Sequence, residues 1–540
     1  MSVSDPTGPV HTQSGPNTFW STTNLGEALP GVVTPLGWSI WMPAIDIGVR
    51  DCFARMGALR NKDVHVPPNI DDRVASIFYG RAALNATFFC EMGGRLPGTG
   101  PDAIAKQLLG EVPAGIALEN TLKRMPVVAF KMPYALATVR RDVLTRIKPI
   151  DPWWRSSVAN IEAVDLAAAK GLLAETGARF IEMIRVQAGG VFIGVQPPFD
   201  QLIALIEKAG LDAESANALG AGQGSHAEID IIYDLWALGR EKITLEAFLS
   251  RHGYHGPFAG EISSVSWRED PSPVVRLAGQ YGARKESDNP ELAHGERTQA
   301  RIAAEQQLLA KLPAVQRPGA RLVLKMAAAR IPLRGVAKGT YLQVLDVGRS
   351  AARRIGTLLV EQGTLDDRDD PFYLTVQELT GTLPANAKEL VAERRAQRED
   401  FQRHGIPTNF RGNPEPYELA GVETPADDAA IEGIPASGGV VEGIVRIVHD
   451  PAFSDIEPDE VLVCVTTDPS WASVLFLSSA LVVDIGGLLS HAAVVAREIG
   501  VPCVVGTRTG TKALRTGDRV RVDGNTGKVL VLERAPVPAS

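Results

Sequence analysis

The stretch GGLLSHAAVVAREIGVPCVVGT, Gly486 to Thr507, constrains the fold of this 540-residue chain more than any other segment. Its paired glycines follow an apolar run, and a short helical pattern then begins at Ser490 and stops at the Gly500 to Pro502 segment. The apolar residues Cys503 to Val505 are typical of a buried strand. This order of strand, glycine turn, helix and strand predicts part of a compact α/β domain.

His491 is the residue in this stretch that could carry chemistry. Ser490 is a good N-cap, so His491 would lie in the first helical turn, where backbone N–H groups and the helix dipole favour negative charge. A phosphoryl group on the imidazole would be stabilised there. Gly486 and Gly487 would leave room for a large anion or a second protein surface. Helix geometry alone, however, favours a surface or capping role for such a histidine.

The same stretch resembles the phosphohistidine signature of the mobile, swivelling domain of PEP-utilising enzymes, a family that includes phosphoenolpyruvate synthase, pyruvate phosphate dikinase and rifampicin phosphotransferase. The matching residues are Gly486, Gly487, Ser490, His491, Ala496, Arg497, Glu498, Gly500 and Pro502. The resemblance implies that His491 is catalytic and carries a phosphohistidine. It also implies that Ser490, Gly486, Gly487, Arg497 and Glu498 support the phosphate or the loop, although Arg497 could equally pair with Glu498 or with solvent.

Other segments resemble the mostly helical acceptor domain that precedes the swivelling domain in rifampicin phosphotransferase and its relatives. One is the N-terminal pattern Asn24, Glu27, Pro30, Gly31, Thr34, Pro35 and Leu36, and the others are Phe78 to Gly98 and Gly348 to Leu379. Asp468, Pro469 and Trp471 resemble a family element close to the histidine loop, and a structural role suits them equally well.

The segment Phe248 to Pro273 resembles the family where relatives carry a Tyr-Gly-His-Arg-Gly pattern, but Tyr254 and His255 stand here in place of His and Arg. A hydroxyl acceptor needs a base or a cation near its oxygen. The candidates are His255, Glu261 and Arg268. Trp38 and Trp41 could stack on an aromatic acceptor, although such residues also fill ordinary helical cores.

The predicted fold is multidomain, with a mainly α acceptor-binding domain followed by a small α/β swivelling phosphohistidine domain. The residues divide into a flexible N-terminal arm at 1–18, the helical domain at 19–405, a linker and hinge at 406–432 and the swivelling domain at 433–540. Helical spacing is clear in Ile161 to Val186, Phe199 to Gly210, Ile229 to Leu238, Leu342 to Gln362 and Ala387 to Arg403. After Gly433 the sequence contains short β-branched runs, which predict strands, and the hairpin turn DGNTG.

The composition argues against some classes of binding partner. With 55 basic and 63 acidic residues the net charge is −8, which argues against nucleic acid or an anionic membrane as a partner. The sequence contains no run of 18 apolar residues and no signal-peptide pattern at its N-terminus, so a cytoplasmic location is expected. Cys52, Cys90, Cys464 and Cys503 lack CxxC spacing and are expected to be buried thiols, with no metal site.

The expected reaction follows from which modules the sequence contains. No Walker A motif is present, and the glycine cluster GAGQG, Gly220 to Gly224, lacks the lysine and strand that phosphate binding needs. Neither an ATP-grasp domain nor the β/α barrel of roughly 250 residues that binds pyruvate is recognisable. The order of domains resembles phenylphosphate synthase, in which a separate ATP-grasp subunit binds ATP and Mg²⁺.

The resemblance thus implies an ATP-dependent phosphotransferase that converts ATP to AMP and phosphate. The swivelling domain, which carries the phosphoryl group on His491, would move about the hinge between the partner subunit and a small phenolic substrate. Two alternatives remain open: a subunit that phosphorylates a rifamycin-type antibiotic, and a regulatory phosphocarrier without a small-molecule acceptor.

Overall fold

The structure is a computed structural model that describes residues 8–26, 28–97, 100–116, 119–121, 123–220, 226–419, 431–448, 457, 460–467, 471–488 and 490–535. Its helices are α1 Thr23–Gly26, α2 Pro35–Met56, α3 Ala86–Gly93, α4 Pro101–Leu109, α5 Met125–Ile147, α6 Ile150–Ala159, α7 Leu166–Ala188, α8 Gln196–Ala209, α9 Ala213–Gly220, α10 His226–Leu238, α11 Leu245–His252, α12 Ser272–Ala283, α13 Pro290–Lys311, α14 Arg317–Arg330, α15 Leu333–Glu361, α16 Val376–Thr380, α17 Ala387–Arg403, α18 Ala472–Leu475, α19 His491–Ile499 and α20 Gly510–Ala513. Its strands are β1 Phe19–Ser21, β2 Ala75–Phe78, β3 Arg81–Asn85, β4 His404–Gly405, β5 Asn409–Arg411, β6 Tyr417–Glu418, β7 Ile431–Glu432, β8 Ile434–Ser437, β9 Val440–Ile447, β10 Val461–Cys464, β11 Ala480–Val483, β12 Cys503–Val505, β13 Arg519–Asp523 and β14 Lys528–Glu533.

Contacts divide the chain into two compact units. Unit 1 comprises Met1–Gly194, Gly260–Ser263 and Ala337–Val422, and unit 2 comprises Val195–Ala259, Ser264–Val336 and Glu423–Ser540. This division differs from the one predicted from composition. The helices between residues 195 and 336 group with the C-terminal α/β domain instead of with the N-terminal helices.

Unit 1 is organised around α2, which packs on α7. Thr34 caps its start with Oγ1 accepting from Gly37 N, Pro35 occupies the first turn, and Gly57 ends it with φ 93°. A small antiparallel sheet in the order β2-β3-β1-β5 completes the unit. Tyr79 and Gly80 join β2 to β3 with φ values of 48° and 70°, as a tight hairpin turn requires.

Two predicted flexible segments are ordered parts of unit 1. In the expected N-terminal arm, Val10 is buried and Thr12 Oγ1 lies 2.7 Å from Ser76 Oγ. In the expected linker, β5 pairs with β1 in antiparallel register. The structure corrects both predictions for residues 8–18 and 406–419, because Gly- and Pro-rich sequence also forms turns and short edge strands. Residues 1–7 and 420–430 lie outside the described residues.

Unit 2 contains the predicted α/β domain. Its sheet has the order β7-β14-β13-β9-β10-β11-β12-β8, with β9, β10, β11 and β12 parallel and the outer pairs antiparallel. Alternate residues along β10 belong to two apolar clusters: Val461 and Val463 lie in one, Leu462 and Cys464 in the other. The parallel strands are therefore buried on both faces, as βαβ sheets usually are. The prediction of a helical part and an α/β part is confirmed.

One helical run in the described residues, Leu166–Ala209, is long and apolar enough to cross a membrane, with a mean hydropathy of 1.2 over its best window and 44% of that window buried. Its first part is α7, which packs against α2 in unit 1. A core helix passes the same test, so this run is weak evidence for a membrane segment.

Candidate functional site

His491 is the first residue of α19. Ser490 precedes it with φ −63° and ψ 162°, and its Oγ accepts a hydrogen bond of 3.3 Å from Ala493 N. Gly500 ends the helix in the left-handed region with φ 76°. The cap predicted from the sequence is therefore present, and His491 lies in the turn where the helix dipole favours an anion.

His491 is 3% exposed, and its ring is held by a residue that the sequence did not single out. Thr467 Oγ1 lies 2.8 Å from His491 Nδ1, and Thr467 itself is buried. Thr466 and Thr467 begin the segment TTDPSW, Thr466 to Trp471, which follows β10, and this polar pair is the signal for the contact in the sequence. Of that segment, Trp471 is buried, whereas Asp468 and Pro469 lie outside the described residues.

The two glycines before His491 have different surroundings. A Cβ on Gly486 would lie 3.0 Å from Ser490 Oγ and 3.2 Å from Ser490 Cβ, so this position requires a close approach of the loop to the cap. A Cβ on Gly487 would meet nothing within 4 Å. Gly486 therefore has a packing reason to be glycine, and Gly487 leaves open space in front of the helix.

Arg497 supports the loop directly. Its Nε donates to Ala493 O at 3.0 Å, and its Nη2 donates to Leu488 O. The side chain thus ties the residue that follows the glycines to the body of α19. Asp484 holds the end of the loop that lies before the glycines. Its carboxylate accepts from Thr507 Oγ1 at 2.7 Å and from the Thr511 hydroxyl. Asp484 was not predicted, although its position at the end of β11 was visible in the sequence.

Glu498 occupies a different environment. It is 3% exposed and interacts electrostatically with Arg297 of α13. Burial lowers the pKa of Arg297, and the negative charge of Glu498 opposes that effect. A Cβ on Gly500, which ends α19, would lie 3.2 Å from Arg297 Nη1, so the C-terminal end of α19 lies close to α13.

Two acceptor-site candidates, Trp41 and Glu261, make core contacts in unit 1. The Trp41 ring lies 4.8 Å from that of Phe180, and its Nε1 donates to Gly260 O at 2.9 Å. Glu261 Oε1 accepts from Thr34 Oγ1 at 2.6 Å and from Ser263 N at 3.0 Å, and Oε2 accepts from Thr34 N at 3.1 Å. Both oxygens of Glu261 thus bind groups around the start of α2. Trp38 is also buried in this unit.

His255 and Arg268 belong to unit 2. The buried ring of His255 lies 4.2 Å from that of Tyr254 and 5.7 Å from that of Trp267. Arg268 N donates to Gly253 O at 2.9 Å, which closes the loop that carries His255. The structure therefore brings His255 and Arg268 into one loop, and it assigns Trp38, Trp41 and Glu261 to the other compact unit.

His252, the last residue of α11, makes a contact that the sequence did not predict. Its Nε2 lies 2.8 Å from Asp234 Oδ2, and Arg251 Nη1 lies 3.0 Å from both carboxylate oxygens. Burial acts to raise the pKa of Asp234, but the bonds from His252 and Arg251 outweigh it and hold that pKa below its ordinary value. Asp234 is therefore an anion that orients the His252 ring.

All four cysteines are buried free thiols, as predicted. Burial raises the pKa of Cys90 to about 11 and that of Cys503 to about 12, so neither is a reactive thiolate. Across the part of the chain that the structure describes, no group of three His, Cys, Asp or Glu residues is placed to hold a metal ion. Residues 221–225, most of the GAGQG cluster, lie outside that part.

Comparisons with known proteins agree with this site. Residues 456–527 match the family described as PEP-utilising enzyme, mobile domain, and residues 237–335 match the rifampicin phosphotransferase fourth domain. The segment around His491 is therefore similar to the mobile domain of PEP-utilising enzymes, and the resemblance stated from the sequence is confirmed for these two segments.

Similar proteins match parts of the chain outside these two segments. An uncharacterised protein of Mycobacterium tuberculosis is 28% identical over 95% of this chain and 61% of its own length. The uncharacterised phosphotransferase YvkC of Bacillus subtilis is 38% identical over 34% of this chain and 23% of its own length. The rifampicin phosphotransferase of the same species is 27% identical over 62% of this chain and 38% of its own length. The chain thus spans less than two thirds of the length of these relatives.

Among solved structures, aconitase X of Thermococcus kodakaraensis is 24% identical over 19% of this chain and 99% of its own, with a TM-score of 0.17. Enzyme I is 17% identical over 61% of this chain and 80% of its own, with a TM-score of 0.16. Neither likeness is close enough to support an argument.

Proposed function

We propose that this chain is the acceptor-binding and phosphocarrier part of an ATP-dependent phosphotransferase, in which His491 passes a phosphoryl group to the hydroxyl of a small phenolic compound. The observation that carries the proposal is the position of His491. It opens α19 behind a serine cap, its Nδ1 lies 2.8 Å from Thr467 Oγ1, and it stands inside the segment that matches the mobile domain. Relatives named phosphotransferase support the same class.

In the first step Nε2 of His491 attacks the β-phosphorus of ATP, an N–P bond forms, and the bond from that phosphorus to the AMP oxygen breaks. Water then removes the terminal phosphoryl group as phosphate, so a single phosphoryl group stays on His491. Nε2 needs a free lone pair for this, so the proton of the neutral imidazole must lie on Nδ1, where the Thr467 hydroxyl accepts it. The backbone N–H groups at the start of α19 then stabilise the charge of the phosphohistidine.

In the second step the acceptor oxygen attacks phosphorus and the N–P bond breaks, which returns the lone pair to Nε2. The hydroxyl proton passes to a base. His255 is our candidate for that base and Arg268 for the cation that steadies the oxyanion. The backbone N of Trp267, next to Arg268, donates to His255 O at 2.6 Å, and the His255 ring lies beside the rings of Tyr254 and Trp267.

The identity of the phosphoryl donor is proposed from the resemblance to phenylphosphate synthase. ATP and Mg²⁺ are bound mainly by a separate ATP-grasp subunit, the β-phosphoryl group is transferred, and AMP and phosphate leave. The α/β domain moves between that subunit and the acceptor, because one histidine cannot occupy two water-excluding sites at once.

A rifamycin-type acceptor is the second candidate. The observation that favours it is the match of residues 237–335 to the rifampicin phosphotransferase fourth domain. The two candidates share the carrier chemistry and differ in the size of the acceptor.

The test combines the chain with an ATP-grasp protein encoded beside it and with ATP and Mg²⁺. We expect an acid-labile phosphate on the wild type by intact mass and none on His491→Ala, with His65→Ala as the matched control because His65 is exposed. A panel of simple phenols and a rifamycin then identifies the acceptor class. Phosphorylation of His491→Ala at the wild-type level would refute the carrier role, and a labelled carrier that discharges to no panel member would favour a regulatory phosphocarrier.

A further inference from the structure

Helix α5 has apolar residues on two opposite faces. On its inner face Val128, Ala135, Val139 and Val143 are buried at helical spacing, and the helix packs on α2 and α7. A helix at the surface of a soluble protein usually has polar residues on its other face. The outer face of α5 departs from this rule.

Two large aromatic rings lie on that outer face. Phe130 is 84% exposed, and Tyr134, one turn further along, is 69% exposed. Val127, Pro133 and Ala137 on the same side of the helix are exposed as well. These five residues form an apolar strip about 15 Å long, which we call the outer stripe.

The inward cations of α5 are bound by α2. Arg124 Nε donates to Gly57 O at 2.7 Å, and Lys131 Nζ donates to Ala54 O at 3.1 Å. Both bonds satisfy carbonyl groups at the C-terminal end of α2. They also fix α5 to the body of unit 1, so the outer stripe is carried by a rigid element.

Cations lie at both ends of the outer stripe. Lys123 precedes α5, Arg140 and Arg141 follow the stripe within about one turn, and all three are exposed. Residues 123–148 include seven Lys or Arg residues and one acidic residue, Asp142. Asp142 lies between Arg55 of α2 and Arg141, at 2.8 and 3.4 Å. The outer stripe is therefore apolar at its centre and positively charged at its ends.

A protein surface fits this pattern better than a lipid bilayer does. Aromatic side chains and arginine are enriched in protein interfaces, where charged groups surround an apolar centre. The chain as a whole has a net charge of −8, which opposes adsorption to an anionic bilayer. A partner that covers the outer stripe therefore needs an apolar groove with carboxylates near its two ends.

We propose that the outer stripe of α5 is the docking surface for a separate protein subunit whose groove is apolar at its centre and acidic at both ends. The identity of this subunit rests on the proposed function: it is the ATP-grasp protein that supplies the phosphoryl group. Docking removes the rings of Phe130 and Tyr134 from water, which favours the complex.

The test measures the Kd between the full chain and the ATP-grasp protein encoded beside it, by isothermal titration calorimetry. Phe130→Ala should raise the Kd by about thirtyfold, the factor that corresponds to about 2 kcal/mol, and Tyr134→Ala should act in the same direction. Both side chains are mostly in water and alanine favours a helix, so both variants should fold. The matched control is Val315→Ala in unit 2, which removes an apolar side chain that is 85% exposed and should leave the Kd unchanged.

The charges at the ends of the stripe provide a second set of variants. Arg140→Glu should slow association by about threefold at low salt and weaken the salt dependence of the rate, because charges at the rim of an interface act mainly on the encounter. Arg321→Glu reverses an exposed cation of α14 and should change neither quantity.

The same Kd for the wild type, Phe130→Ala and Tyr134→Ala would overturn the proposal, as would the absence of a complex. Binding of the wild type, but not of Phe130→Ala, to vesicles of phosphatidylglycerol and phosphatidylcholine would overturn it in favour of a membrane. A complex that depends on Phe130 while His491 stays unphosphorylated refutes the carrier function alone. Phosphorylation of His491 together with an unchanged Kd in Phe130→Ala refutes the docking surface alone.

Discussion

Removing the Thr467 hydroxyl should change which nitrogen of His491 carries the proton. Both residues are buried, and Thr467 Oγ1 lies 2.8 Å from His491 Nδ1. In the proposed mechanism this hydroxyl accepts the Nδ1 proton. Such a hydrogen bond contributes about 1 kcal/mol net, so Thr467→Val should lower the ratio of the Nδ1–H to the Nε2–H tautomer by roughly fivefold. Only the Nδ1–H tautomer has a nucleophilic Nε2, so the rate of phosphorylation of His491 should fall with the population of that tautomer, by at most the same factor.

The tautomer ratio can be measured by ¹⁵N NMR of histidine-labelled protein at alkaline pH, where the imidazole is neutral. Thr466→Val is the matched control, because Thr466 Oγ1 is buried without a hydrogen-bond partner among the described residues. The reasoning is wrong if Thr467→Val keeps the wild-type tautomer ratio, or if Thr466→Val shifts it equally.

Three further substitutions test parts of the structure. Burial raises the pKa of Asp46 from 3.8 to about 6, against its ion pair with Arg50, so the contribution of this group to stability is full below about pH 4 and is lost as the pH rises through 6. The wild-type free energy of unfolding relative to that of Asp46→Asn should therefore fall by roughly 2 kcal/mol between pH 4 and pH 7 in urea titrations, and a constant difference would contradict this. Ser490→Ala should destabilise α19 by about 1 kcal/mol in hydrogen exchange, whereas Ser490→Gly should cost only a few tenths. Glu261→Gln should lower the urea midpoint by an amount equivalent to about 1–3 kcal/mol, since one oxygen that accepts hydrogen bonds becomes a donor; an unchanged midpoint would refute its role at the start of α2.

The α/β domain was predictable because its signals are local. The strands that follow Gly433 are short β-branched runs, and α19 between them begins at a capping residue, so these elements could be recognised from fewer than about ten neighbours. The charged helix predicted at Ala387 to Arg403 coincides with α17 for the same reason. The cap at Ser490 and the turn at Gly500 likewise depend on their own segment.

The contacts that the sequence did not reveal are long-range. The three-residue strand β1 pairs with β5, whose residues lie nearly four hundred positions away in the chain, and neither strand is long enough to show a period. Thr467 reaches His491 only because β10 and β11 are parallel neighbours that end at the same edge of the sheet. The packing of α10 on the α/β domain joins two segments whose patterns look like ordinary amphipathic elements.

Glu261 shows how a family motif can reflect the fold instead of the chemistry. The segment Gly260–Ser263 belongs to unit 1, whereas the chain on both sides of it belongs to unit 2. Arg349 donates to the carbonyl oxygens of Glu261 and Ile262 at 3.2 and 3.1 Å, and Arg353 donates to Ser263 O at 3.0 Å.

With the Glu261 carboxylate bound at the start of α2, every residue of this segment is therefore fixed to unit 1 by a hydrogen bond. A buried acid in a resembling motif suggested an acceptor base, yet an acid with both oxygens engaged is a poor proton acceptor. Loss of activity in Glu261→Gln should consequently follow its loss of stability, and it should disappear at temperatures where the variant is fully folded.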